Sequence, residues 1–269
     1  MLCFAAIVPH APQIIPTINR DNLAKTQKTI RSLKSLSKSL SEIRPESLMM
    51  ISSHGPVLQD AFSLNLAQEY SGDFKTFGDL TTKLEFDGDL ELNYKIKERF
   101  ETTFSDVPLT MITEPNLDYS FSVPLYYLSG KYKEFSLIPV GSCALDYQKH
   151  LDFGQKLKEE LVLSNKKIGL VVSANFCYCS DEQAPKNASL GKKFDQKLIK
   201  LIQDKQTDQF SGLDQKLVKK FGETGLPPIL ILMGLLKNLN YKTEVISYEN
   251  PFGIGQAVIN FDLNSNISA

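Results

Sequence analysis

The sequence predicts an α/β fold in a single domain, with a central, mostly parallel or mixed sheet and helices on both faces. Three observations predict it. Short apolar runs rich in Val and Ile recur along the 269 residues, and segments of helical period alternate with them. No repeat, low-complexity linker or change of composition divides the chain. Continuously apolar runs suit strands covered on both faces, and strand–helix alternation builds layered α/β architecture.

The elements follow in order. Residues 4–8, FAAIV, read as the first strand, ended by a Pro-His pair. Residues 21–43 predict an amphipathic helix, because Leu23, Ile30, Leu33, Leu36, Leu40 and Ile43 fall on one stripe among Lys and Ser. LMMIS at 48–52 is the second strand, a helix follows over 88–100, and LTMI at 109–112 is a third strand. FSLIPVG at 135–141 and IGLVVSA at 168–174 are strands that flank a helix over 148–162. Helices over 187–203 and 227–238 come next, the second opened by Pro227, which suits a first helical turn. TEVISY at 243–248 and AVINF at 257–261 close the domain at about residue 263. The polar 264–269 is expected to be a frayed tail.

Hydrophobic content of 42% and charged content of 23% are those of an ordinary globular core and surface. With 30 basic and 31 acidic residues the net charge is −1, which gives no overall field for nucleic acid or an anionic membrane. No apolar run approaches the ~20 residues of a bilayer span. No positive charge precedes the apolar first eight residues, so a signal peptide is not expected. Cys3, Cys143, Cys177 and Cys179 give a C-x-C and two scattered thiols rather than a disulfide framework. They are expected to be reduced, in a cytoplasmic protein. A homo-oligomer or a protein partner is left open.

Only three histidines occur, and two stand just beyond strand ends: His10 in CFAAIVPHAP and His54 in ISSHGP. In α/β sheets, ligand sites lie outside the carboxyl ends of strands, so parallel strands would bring both imidazoles to one rim. His150, in DYQKHLDFGQKL, is expected to be a surface or capping histidine at a helix start. Imidazole suits iron, zinc or copper, and two histidines with one carboxylate form the facial triad of non-haem Fe(II) sites. Among 31 acidic residues, spacing alone does not select the carboxylate.

Six segments, VPHAPQIIP, ISSHGPV, FGDLTTKLEFDGDLEL, LDYSFSVPLYYL, FGETGLPPILILMGLL and SYENPFGIGQAV, occur in an order that resembles one family. That family is the LigB-type class III extradiol ring-cleavage dioxygenases, with their AmmeMemoRadiSam-system and Memo-like relatives. The resemblance spans about residues 4–262. It implies a LigB-like α/β domain with one mononuclear ion, typically Fe(II), with Zn(II) or another divalent metal as alternatives. By the same resemblance His10 and His54 are metal ligands, and Glu223, in the G-E-x-G-L loop, completes the set. The implied reaction is O₂-dependent cleavage of a small catecholic or phenolic substrate.

The chain departs from the family at proton-handling positions. The family's L-D-H-G is LDYS here, with Tyr119 for histidine. Its S-G-D-x-[SC]-H is SANFCY, with Asn175 for aspartate and Tyr178 for the acid/base histidine. Tyrosine, with a reference pKa of ~10, leaves only about one phenol in a thousand ionised at pH 7, so it is a poor base. Two alternatives therefore stand beside the dioxygenase: a metal-binding relative that acts through a partner, and a metal-assisted hydrolase.

Overall fold

Side chains of the first strand alternate between two cores: Ala5 and Ile7 join one, Phe4, Ala6 and Val8 the other. Met49 and Ile51 against Leu48 and Met50 divide the second strand in the same way. A strand buried on both faces needs a layer on each side, and the chain supplies helices for both.

The computed structural model describes residues 1–104, 106–179 and 184–263, with side chains of 184–187 left aside. In order, β1 is Leu2–Val8, α1 Gln27–Ile43, β2 Ser47–Ser52, β3 Phe62–Asn65, β4 Glu69–Phe74 and β5 Asp79–Asp87. Then come α2 Leu90–Thr102, β6 Leu109–Ile112, α3 Tyr119–Leu128, β7 Ser136–Gly141, α4 Tyr147–Leu163 and β8 Ile168–Ser173. The chain continues with α5 Ala184–Gln203, a single turn α6 Gln215–Leu217, α7 Leu226–Leu236, β9 Lys242–Glu249 and β10 Gln256–Asp262.

Eight strands form one mixed sheet in the order β6-β3-β7-β2-β8-β1-β10-β9. The central β7, β2, β8 and β1 run parallel, whereas β10 lies antiparallel to β1, and β3 antiparallel to β7. Helices α1 and α3 cover one face, and α2, α4, α5 and α7 the other. Apart from Pro227, α7 is buried along its whole length.

The seven predicted strands and five predicted helices all occur, with ends shifted by a few residues. The helix over 21–43 differs at its start: Arg20–Thr26 is 3-10, and the α-helix begins at Gln27. Strands β3, β4 and β5 were not predicted. β4 and β5 form a separate antiparallel pair that exposes Glu, Lys and Thr, so no continuous apolar run marks them. Helix α3 was also unpredicted, because it is nearly all apolar, buried, and interrupted by Pro124. His150 is not on the surface. It is fully buried, with its ring nitrogens on the carbonyls of Asp146 and Cys143, while Asp146 caps the helix. The expected tail 264–269 lies outside the described residues.

All four cysteines are free and buried. Thiol titration of the denatured, unreduced protein is expected to find four groups, and a reproducible count of two would contradict the structure. Among the described residues, no helix is long and apolar enough to cross a membrane.

Candidate metal centre

One row of the sheet fixes the site. Val8 of β1 pairs with Ser173 of β8, Ser173 with Ser52 of β2, and Ser52 with Gly141 of β7. Two residues beyond this row stand His10, Asn175 and His54. Parallel register alone therefore brings three loops to one rim. Their side chains meet there. The His10 and His54 rings pack edge-on with centroids 4.8 Å apart, and Asn175 Oδ1 accepts the His10 backbone N–H at 3.1 Å.

Helix α3 brings in Tyr119, because Asp118 caps its start by accepting the Ser120 N–H. The Tyr119 ring lies 5.4 Å from that of His54 and 5.9 Å from that of His10. Its hydroxyl is 3.3 Å from His54 Nδ1. Phe77 packs edge-on against its other side at 5.4 Å.

The fourth loop follows a π-helical turn, Val218–Gly222, and carries Glu223. Two features tie it to the rim. A Cβ on Gly225 would sit 2.0 Å from the carbonyl oxygen of Asn175, so only glycine allows the loop this close. Ser53 Oγ, beside His54, donates to the carbonyl of Thr224, beside Glu223. Tyr178 N–H also bonds the Phe221 carbonyl at 3.2 Å. The result is a cleft of about 460 Å³ lined by His10, His54, Tyr119, Asn175, Tyr178 and Glu223, among others. A wider groove of about 810 Å³ beside β4 and β5 contains no histidine or cysteine.

The site holds its imidazoles neutral. Burial, and then the neighbouring His54, pull the His10 pKa down to about 3, against a hydrogen bond to Ser173 that favours the charged form. Burial also lowers His54, against the charge of Asp118. Burial, reinforced by Asp118 and Tyr178, raises Tyr119 above the usual phenol range. Tyr119 therefore remains a protonated donor at neutral pH.

Neutral imidazoles and a carboxylate around one cleft form a donor set that fits a divalent ion. Glu223 is exposed. Among the described residues, no three His, Cys, Asp or Glu side chains stand close enough together to hold an ion. Ligation by all three predicted residues therefore requires their side chains to stand closer together than they do here. Cys177 and Cys179 do not line the cleft, and burial raises both thiols, which disfavours the thiolate a metal needs.

Sequence reasoning did not find Asp195. It is fully buried and accepts the Cys177 N–H and the Tyr248 hydroxyl, each at 2.8 Å. Burial raises its pKa to about 6. It anchors the loop that carries Asn175 and Tyr178, and Gly255 leaves it room, since a Cβ there would lie 2.1 Å from the carboxylate. A lone Asp within a helical pattern gave no signal of this role. The buried serines behind the histidines were missed too, though Ser52 ends one predicted strand and Ser173 stands next to last in another.

Comparisons with known proteins agree with this architecture. The family described as the catalytic LigB subunit of aromatic ring-opening dioxygenase matches residues 4–259. Protein CA_C1420 of Clostridium acetobutylicum is 27% identical over 97% of the chain, which spans 57% of that protein's length. The crystal structure of uncharacterized protein JW3007 from Escherichia coli K12 superposes with a TM-score of 0.60. That likeness, at 14% identity, covers 96% of this chain and 99% of the other and concerns the fold.

Proposed function

Because the chain belongs to the LigB family of aromatic ring-opening dioxygenase catalytic subunits, we propose that it binds one divalent metal ion, Fe(II) in the first place, through His10, His54 and Glu223. The carrying observation is the convergence of the loops. Register sets the two histidines side by side, and Gly225 with Ser53 holds the Glu223 loop against them. Bound there, a ferrous ion supplies the redox and Lewis-acid chemistry of oxygen-dependent ring opening.

The residues around it do the rest. Phe77 and Tyr119 form an aromatic wall against which a small phenolic or catecholic ring can lie. Asn175 holds the His10 backbone, and as an amide it offers no charge to a substrate proton. Tyr119 can donate a hydrogen bond but does not take a proton near neutrality. Tyr178, at the cleft, is 59% exposed. The site thus has a place for metal and ring but a weak apparatus for moving protons.

That weakness supports a second reading, a metal-binding family member without ring-cleaving activity that works through a partner, as in AmmeMemoRadiSam and Memo-like relatives. Both readings share the metal. Replacing His10, His54 or Glu223 with Ala should weaken Fe(II) or Zn(II) binding by more than about 100-fold, beyond the ~10–100-fold typical of outer-shell changes. Isothermal titration under anaerobic conditions measures this. His150→Ala should cost stability but leave metal affinity intact, since His150 bonds Asp146 and Cys143 carbonyls rather than the cleft. Unchanged affinity in all three ligand variants would remove the metal reading.

A further inference from the structure

The hydrogen bonds behind His10 have a direction that the chain itself imposes. Helix α3 contains Pro124, which has no N–H, so the carbonyl of Ser120 lacks its usual helical donor four residues on. Ser120 is fully buried, and a buried carbonyl needs another partner. Ser173 Oγ supplies it at 2.5 Å. The same Oγ stands 2.9 Å from His10 Nδ1.

A carbonyl oxygen only accepts, so the single Ser173 hydroxyl proton is committed to Ser120. Towards His10, Ser173 Oγ can then act only as an acceptor, and the shared proton belongs to Nδ1. His10 Nε2 keeps its lone pair and has no hydrogen bond to any described residue. We propose that Ser173 is a positioning residue that locks His10 in the Nδ1–H tautomer and so leaves Nε2 as the nitrogen presented to a ligand. The lock belongs to a wider serine link. Ser52 Oγ donates to Ser120 Oγ at 2.8 Å and accepts the His54 backbone N–H at 3.2 Å, and Ser52, Ser120 and Ser173 are all fully buried. Both histidine loops are thereby tied to the start of α3, where Tyr119 stands.

The ligand's being a metal rests on the function proposed above; the tautomer does not. Metal-binding histidines commonly have their other ring N–H fixed by an outer partner, whose loss costs about 10–100-fold in affinity. The test is a two-bond ¹H–¹⁵N correlation spectrum of metal-free protein with ¹⁵N-labelled imidazoles at pH 7. Wild-type His10 should show a protonated, pyrrole-type Nδ1 and a pyridine-type Nε2. Ser173→Ala should move the proton largely to Nε2 and weaken Zn(II) binding about 10–100-fold. Ser173→Thr, which retains the hydroxyl, should restore both. A wild-type Nε2–H pattern, or an unchanged pattern in Ser173→Ala, overturns the proposal. Should Ser173→Ala fail to fold, the wild-type and Ser173→Thr spectra decide it alone. The predicted pattern in a protein that binds no ion would sink the metal reading and leave the lock standing.

Discussion

Loaded with Fe(II) and given simple catechols, the protein is expected to take up oxygen slowly, and Tyr178→His is expected to raise that rate. The gain, alone or with Tyr119→His, should reach up to roughly 10²–10⁴-fold, the span of a positioned acid/base. The backbone at 178 is already held, by a bond to the Phe221 carbonyl and a bridge to Ile254. A histidine introduced there would start from a fixed position beside the cleft. Its reference pKa of ~6.5 lets it accept and return a proton near neutrality. Tyr119 cannot substitute, because burial and the nearby Asp118 hold its phenol protonated. Oxygen-electrode rates on wild type, Tyr178→His and Tyr178→Phe separate the outcomes. An efficient wild-type rate, indifferent to Tyr178→Phe, would show that another group moves the proton. Silence in every form would favour the partner-dependent reading.

The largest effect on stability is expected where α4 crosses α7. A Cβ on Gly154 would meet the Ile231 carbonyl oxygen at 2.0 Å and the Leu235 nitrogen at 2.8 Å. Reciprocally, a Cβ on Gly234 would lie 2.1 Å from the Leu151 carbonyl oxygen. These obstacles are backbone atoms of the facing helix, so the helices must move apart rather than a side chain rotate. In a free helix, Gly→Ala gains about 1 kcal/mol from propensity. Here overpacking near the upper end of its usual ~1–3 kcal/mol range should reverse the sign, giving a net loss of roughly 1–2 kcal/mol for Gly154→Ala or Gly234→Ala. Gly212→Ala is the control, since nothing lies within 4 Å of its added carbon. Urea unfolding measures all three, and a Gly154→Ala protein as stable as wild type would contradict the described crossing.

The parts legible in sequence are those whose signal is local. Val- and Ile-rich runs announced the central strands, and His10 and His54 stood out because each stands just beyond the end of an apolar run. Glu223 was different. Its place depends on Gly225 fitting against Asn175 and on Ser53 reaching Thr224, contacts between distant segments that no spacing rule encodes. Only resemblance to a family singled it out. Strands β4 and β5 escaped because a half-exposed pair outside the main sheet carries polar residues at alternate positions. Helix α3 escaped because a helix buried at nearly every position has no polar face to set its period. The role of Pro124 was illegible because its missing N–H acquires meaning only once the distant Ser173 fills the gap.

His10, His54 and Glu223 are proposed to hold one ion. Crystallography of protein purified and loaded with Fe(II) without oxygen, with anomalous data at the iron edge, tests this most directly. The expected result is a single ion with the two imidazole nitrogens and a Glu223 oxygen converging on it at about 2.0–2.2 Å, the span of such ligand bonds, and His10 bound through Nε2. An ion seated elsewhere, or ligand atoms still more than about 6 Å apart around it, wider than one coordination sphere, would contradict it.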